Sequence, residues 1–345
     1  DDYGNPTLTW ERTKTTNLGF DFALKNPAIS GTIELYNKHG IDIVGAIDLP
    51  RLTGTSLQEF NTAEILNRGI ELNLLYGLPI TSNIKWSTRF NFTFNKSKVL
   101  SLQRISYDYS GIRSPHFEEG KPVDAVYSYR YLGMNSENVP VLQGIGDDTW
   151  TFNQVAPPTS DDREYMVYSG STQPTTLLGW QNVFSLYGFE ISAYLTGEFG
   201  FIFRMPTFDY PILTNTKTTA ALHKDVVDVL NNTATGIPTM PSETETNVSA
   251  WGAYAQYLHT TIEDASNIRL REVNLSYNLP TVILAKTGLS NLRIYSQIRN
   301  VGLLWAANKS GIDPLYILNS RSSSTAAIPQ IRAVPVYTFG VSFEF

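Results

Sequence analysis

Residues 84–95 read IKWSTRFNFTFN, and they leave a chain like this few ways to fold. Ile84, Trp86, Phe90, Phe92 and Phe94 sit at alternate positions, with Thr88 among them. Lys85, Ser87, Arg89, Asn91, Thr93 and Asn95 occupy the positions between. In a β-strand successive side chains point to opposite faces, so one face is aromatic and the other polar and cationic. Turning Lys85 and Arg89 towards lipid would cost about 2–4 kcal/mol each near a bilayer midplane. A membrane strand must therefore put its aromatics outward and its cations into a lumen. The same period of two closes the chain at 335–345, PVYTFGVSFEF, where Tyr337, Phe339, Val341, Phe343 and Phe345 share a face. An edge strand of a soluble sandwich shows the same alternation, and that alternative stays open for this stretch taken alone.

Composition favours the membrane reading. Charged residues make up 17% of the 345, against about 25% in ordinary soluble domains. Aromatic residues are abundant, with 19 Tyr, 17 Phe and 6 Trp to supply outward faces. No run approaches the roughly 18 apolar residues of a membrane helix, so any crossing must be made by strands. A net charge of −6, with no local Lys/Arg run, argues against a nucleic-acid surface. With no cysteine, disulfides, thiolate metal sites and Cys nucleophiles are excluded.

Alternation marks further strands at 16–24, 31–43, 70–76, 178–186, 189–196, 273–279 and 292–299. A weaker candidate lies at 125–131. The connections between them alternate in length. Short turns are expected at 25–30, 77–83 and 187–188, and a medium one with a turn or short helix at 279–290. Long connections are expected at 48–64, 101–176, 199–267 and 305–334, with residues 49–63 as a polar loop and a short helix at 223–230. Outer-membrane barrels combine brief periplasmic turns with long extracellular loops. If Phe345 ends at the periplasm, every brief turn falls on that side, provided that 101–176 holds zero or two barrel strands. The expectation is a transmembrane antiparallel β-barrel of nine or eleven strands. An odd number cannot close on itself in an antiparallel barrel, so the chain is expected to be the C-terminal part of a larger one.

Several motifs then resemble SusC/RagA-type TonB-dependent outer-membrane transporters. They are Asn5-Pro6, Trp10-Glu11, Thr16-Asn17 and Gly19-Phe20-Asp21-Phe22, followed by Tyr36-Asn37-Lys38 and Asn67-Arg68-Gly69-Ile70-Glu71-Leu72. Trp86-Ser87-Thr88, Phe90-Asn91-Phe92 and Asn95-Lys96 continue the series. The stretch 266–280, SNIRLREVNLSYNLP, and Arg299-Asn300-Val301 complete it. The resemblance spans nearly the whole chain. It implies that residues 1–345 are the C-terminal part of a plugged barrel of about 22 strands, with plug, TonB box and N-terminal strands outside this sequence. It implies import of glycan or peptide oligomers through the outer membrane of a Gram-negative bacterium. The partners it implies are a SusD-like surface lipoprotein as lid, TonB–ExbB–ExbD acting through the plug, and outer-membrane lipid. Phe345 would be the aromatic end that barrel-assembly machinery reads. The family often carries an Asp-rich, calcium-loop-like segment in the region of 144–170. Gly146-Asp147-Asp148 and Asp161-Asp162 are too sparse for one, so no metal is carried over.

Catalytic signals are weak. His39, His116, His223 and His259 fall in no ligand spacing, and there is no GxSxG or P-loop. Glu118 and Glu119 are adjacent, so an extended chain points them apart, which makes a poor glycosidase pair. No cofactor and no enzyme activity are expected. The long loops, by contrast, carry Trp150, Phe152, Tyr165, Tyr168, Phe208, Tyr210, Trp251, Tyr254 and Tyr257. Aromatic faces with polar tips suit stacking on sugars or gripping peptide side chains. Loop packing, or the interfacial girdle of a barrel, accounts for any single one more simply. As a group, Trp150, Tyr165, Tyr168, Phe208, Tyr210, Trp251, Tyr254 and Tyr257 are the expected substrate or lid contacts. Two other readings remain at this point: an accessory subunit of an envelope assembly or secretion complex, and an outer-membrane hydrolase.

Overall fold

In the computed structural model the described residues are 5–25, 28–48, 57–103, 118–137, 139–151, 166–205, 227, 231, 251–252, 254–285, 288–316 and 333–345. Four long strands open the chain: β1 (Arg12–Leu24), β2 (Ala28–Asp48), β3 (Leu57–Thr81) and β4 (Ile84–Leu102). Five short ones follow, β5 (Ala125–Tyr129), β6 (Tyr131–Met134), β7 (Pro140–Gln143), β8 (Thr149–Thr151) and β9 (Met166–Ser171). Then come β10 (Thr176–Leu186), β11 (Phe189–Phe199), β12 (Ile202–Arg204), β13 (Ile262–Asp264), β14 (Asn267–Asn278), β15 (Asn291–Ala306) and β16 (Val336–Glu344). One nine-stranded sheet runs β1-β2-β3-β4-β10-β11-β14-β15-β16, and each neighbouring pair is antiparallel. The short strands form three small sheets apart from it.

Among the described residues this is the nine-strand alternative, and those described between 103 and 175 add no strand to the large sheet. The stretch at 125–131 is extended, but it splits into β5 and β6 and pairs with loop strands instead of entering the barrel. Two expected connections are shorter than alternation suggested. Residues 57–63, expected in a polar loop, belong to β3 and pair with the end of β2. Residues 77–81, expected in a turn, also belong to β3, which continues past Pro79 by a register shift. In both places ladder hydrogen bonds and neighbours hold a strand that propensity does not favour. The helix expected at 223–230 lies outside the described residues, apart from helical Val227.

Register assigns the faces. Phe22, Leu74, Phe90, Trp180 and Leu195 follow one another across the sheet around Gly31 on one face. One residue along, Asp21, Thr32, Asn73 and Asn91 do so on the other. The apolar face lies open: Phe20 is 64% exposed, Trp180 46% and Phe339 80%, which fits contact with lipid and not with a second protein layer. The polar face carries the lumen residues. There Tyr36 lies across Gly69 to donate from its hydroxyl to Asn95 Oδ1 at 3.0 Å, in space that a side chain at Gly69 would fill.

All brief turns lie at one end of the sheet and all long connections at the other. The tightest joins β10 to β11 through Tyr187 (φ 47°) and Gly188 (φ 88°). Positive φ at both central residues is the twist-matched hairpin turn, and Gly188 adopts it freely. β10 and β11 have 11 residues each, about what a tilted membrane strand needs. β2, β3 and β4, with 21, 25 and 19 residues, run well beyond the bilayer on the long-connection side.

Candidate functional site at the barrel mouth

The short strands build a second layer at the long-connection end. β5 pairs with β9, β12 with β13, and β6-β7-β8 form a meander. Backbone bonds stitch these pieces together. Tyr129 N donates to Tyr257 O at 3.0 Å, Gln143 N to Arg130 O at 3.0 Å, and Met205 N to Thr261 O at 2.7 Å. Val99 of β4 anchors the layer to the barrel wall through bonds with Gly120 and Lys121.

Arg204 is the pin of this layer. Its Nη1 donates to Leu258 O (3.2 Å), Gln256 O (3.4 Å) and Thr261 Oγ1 (3.1 Å). Its Nη2 donates to Tyr127 O (3.0 Å) and Ser128 Oγ (3.1 Å). Three separate segments therefore meet at one planar fork, a job that needs guanidinium geometry. These acceptors are all neutral. Enclosure of the head pushes the Arg204 pKa down to about 10, opposed by the Tyr257 phenol, so the group stays cationic at neutral pH. Its Cζ also lies 5.4 Å from the Tyr257 ring centre, within cation–π range. His259 helps to close the same region. Its Nδ1 accepts from Tyr131 N at 3.2 Å. Burial lowers its pKa, as does the charge of Arg130, against a backbone contact with Tyr129.

The expected contact residues separate into distinct places. Trp150, Tyr254 and Tyr129 form an edge-to-face trio with centroids 5.3–6.4 Å apart. Trp251 packs on Tyr131 at 6.2 Å. Trp150 is 4% exposed and Trp251 fully buried, so these two rings hold the layer together and present no face to a ligand. Tyr254 is half-buried in the trio, and Tyr257 lies beneath Arg204. Tyr168 is the candidate that remains open, at 41% exposure. Tyr165, Phe208 and Tyr210 lie outside the described residues.

Tyr168 lines a cleft of about 400 Å³ between the barrel rim and the loop layer. Asp124, Ser171, Gln173, Glu263 and Asp264 contribute its polar wall. Lys121 Nζ sits 4.5 Å from the Tyr168 ring centre, bracing it. Burial raises the Tyr168 pKa, as do the charges of Asp124 and Glu118, so its hydroxyl is a neutral donor at physiological pH. Asp124 Oδ2 accepts from Ser171 Oγ and, at 2.7 Å, from Gln173 N. That carboxylate is committed to shaping the loop. The cleft offers an apolar ring face flanked by acceptors, which is equipment for binding and not for bond cleavage. Glu119, one of the paired carboxylates, accepts from Leu102 N at 2.8 Å and caps the end of β4. Among the described residues no three His, Cys, Asp or Glu side chains gather as a metal site, and Asp148 serves in the β7–β8 turn.

Sequence reasoning missed Arg204, Asp124 and Arg269. Arg269 forms a buried ion pair with Asp313 that draws the 307–316 connection against the barrel wall. None of the three has a local pattern, because their partners lie far along the chain.

No family model matches the chain. A TonB-dependent receptor of Formosa agariphila, P3, is 25% identical over 372 residues, covering all of this chain and 35% of the receptor. A second receptor from that bacterium, P26, is 24% identical across 88% of the chain and covers 31% of the receptor. SusC of Bacteroides thetaiotaomicron, also a TonB-dependent receptor, is 29% identical over 99 residues, 28% of this chain and 10% of SusC. The chain is similar in sequence to TonB-dependent receptors, SusC among them. Its fold agrees: the RagAB peptide importer in its open-open state superimposes with a TM-score of 0.75 at 20% identity, covering all of this chain and 36% of the other. The chain is thus an outer-membrane β-barrel chain of a Gram-negative bacterium, and it spans about a third of the length of the relatives it matches. Those relatives carry the name of TonB-dependent receptors, which gives the hydrolase reading no support.

Proposed function

We propose that this chain is the C-terminal portion of a SusC-like barrel that imports glycan or peptide oligomers by TonB-dependent transport. The observation that carries the reading is the built layer at the barrel mouth. An open Tyr168 ring and a polar cleft stand above a lumen face lined by polar side chains. Such a layer suits an importer, which must hold an oligomer before the passage opens. Among the described residues nine strands leave β1 and β16 as sheet edges running in the same direction, which supports a barrel completed by further strands. A plug and the earlier strands would come from there, with TonB–ExbB–ExbD acting through the plug. A SusD-like lipoprotein would close over the mouth, with Tyr168 and the outward parts of Tyr254 and Tyr257 as contacts. RagAB is a peptide importer, which makes peptides the first substrate class to test.

The test is deletion of the full-length gene, followed by uptake measurements with labelled peptide and glycan mixtures and by purification of the tagged receptor. Loss of uptake of one class, with a SusD-like lipoprotein co-purifying, is the expected result. Unchanged uptake, with assembly or secretion components co-purifying, would favour the accessory role. Phe345 is 89% exposed beyond the end of β16, stacked edge-to-face on Phe343 at 5.5 Å. Removing it is expected to lower surface levels of the receptor several-fold in whole-cell labelling, while the molecules that do insert transport normally. Normal surface levels would rule out an assembly role for this residue.

A further inference from the structure

On the lipid-facing side the apolar rows end abruptly. Leu18, Leu35, Ile70 and Phe94 form the last apolar row across β1 to β4. Two residues further towards the long connections, the same face carries Thr16, Asn37, Arg68 and Lys96. The row after that carries Lys14, His39, Leu66 and Lys98. Four basic side chains thus point outward just above the band that meets the acyl chains, in a patch about 15 Å wide and 7 Å tall. At that height lie the headgroups of the outer leaflet.

Among the described residues the patch is uncompensated. Arg68 and Lys96 are directly opposed partners, an arrangement that places their Cβ atoms about 4.5–5.5 Å apart and destabilises a sheet. Among the described residues no ion pair includes Arg68, Lys96, Lys98 or Lys14. Glu64, the nearby carboxylate, is held by His39 at 2.9 Å. Asn37 Oδ1 accepts from Arg68 Nε at 2.8 Å, which orients the guanidinium and leaves its Nη edge facing out. Lys96 and Lys98 are exposed as well. An anion bridging the cations would relieve this cross-strand repulsion.

We propose that Lys14, Arg68, Lys96 and Lys98 form a docking site for the phosphate groups of the phosphorylated glycolipid of the outer leaflet. The guanidinium of Arg68 would take a phosphate through two parallel N–H bonds, with Lys96 and Lys98 as flanking charges. The apolar row below would meet the acyl chains of the same molecule. This anchors one wall of the barrel at a set depth, beside the cleft that Asn95 and Lys96 help to line. The site rests on the barrel's place in the outer membrane and not on what the barrel carries, so it stands or falls separately from the import reading.

The test uses the full-length receptor in neutral detergent micelles, titrated with purified lipid A and followed by native mass spectrometry and thermal unfolding. Wild type is expected to retain lipid A and to unfold at a higher temperature with it. The triple variant R68Q/K96Q/K98Q is expected to bind on the order of 100-fold more weakly. The charge-conserving R68K/K96R variant should retain most of the binding, which guards against misfolding as the cause. K85Q, on the lumen face at the other end of β4, should bind like wild type. Undiminished binding by the triple variant, or equal binding of lipid A stripped of its phosphates, would overturn the site. So would an altered oligomeric state of the triple variant with lipid binding intact.

Discussion

Phe90→Arg should leave the barrel largely unfolded in the membrane, while Asn91→Arg one residue away should fold normally. Phe90 sits mid-strand on the lipid face, between Leu74 and Trp180 on the neighbouring strands. An arginine there meets hydrocarbon at a cost of about 2–4 kcal/mol, a factor of roughly 30 to 1000 in the folding equilibrium. Asn91 faces the lumen beside Asn73 and Gly179, where an added cation meets water. Folded fractions of the full-length protein, read by heat-modifiable gel mobility in lipid vesicles, separate the two. Equal folding of both variants would mean that the faces are assigned the wrong way round.

Arg204→Met should open the loop layer and leave the barrel intact. The thioether fills much of the side chain's volume and supplies no donors. The carbonyls of Tyr127, Gln256 and Leu258 lose their shared partner in a region where Ser128, Leu258 and Thr261 are fully buried. Leu258 O and Gln256 O keep Thr261 as a partner, so the loss is that of the charged donor, whose hydrogen bonds contribute about 1.5–3 kcal/mol each, and local opening should become easier by at least about 3 kcal/mol. Hydrogen exchange at 125–131, 202–205 and 254–262 should then accelerate on the order of 100-fold, with β10 and β11 unchanged. Arg204→Lys should rescue only part of this, because one ammonium cannot reproduce a fork that reaches both 127–128 and 256–261. Under the import reading, uptake falls with the layer. Unchanged exchange in the methionine variant would show that the aromatic trio alone holds the mouth together.

Much of the barrel is legible in the residues because the lipid face imposes a local rule. Every second side chain must be apolar over about ten residues, and Ile84 to Phe94 or Val336 to Phe345 state that rule without any neighbour. Strand ends are less legible. Residues 57–63 and 77–81 lack the alternation of a strand, yet the ladder between β2, β3 and β4 holds them extended. The register shift between Leu270 and Glu272 is another case. It turns Arg271 towards Thr196 and Glu198, while Glu272 pairs opposite Tyr194 and Arg299, so two consecutive charges reach the lumen side. Strict alternation would send one of them to lipid.

The mouth was only partly readable. Its aromatic residues stood out as a group, but which of them packs inward depended on partners far along the chain. Trp150 meets Tyr254, and Trp251 meets Tyr131, across more than a hundred residues. Tyr168 stays open only because β9 pairs with β5 and turns its ring to the cleft.

The sequence by itself determined that the chain crosses a membrane by strands, which face each strand shows to lipid, and on which side the long connections gather. Those properties follow from a period of two and from the cost of charge in hydrocarbon, both local. Only the tertiary structure decided how Arg204 joins three distant segments, and how Lys14, Arg68, Lys96 and Lys98 meet although no stretch of sequence is basic. Register across four strands creates that patch, and register is set by pairing between strands and not by any one of them.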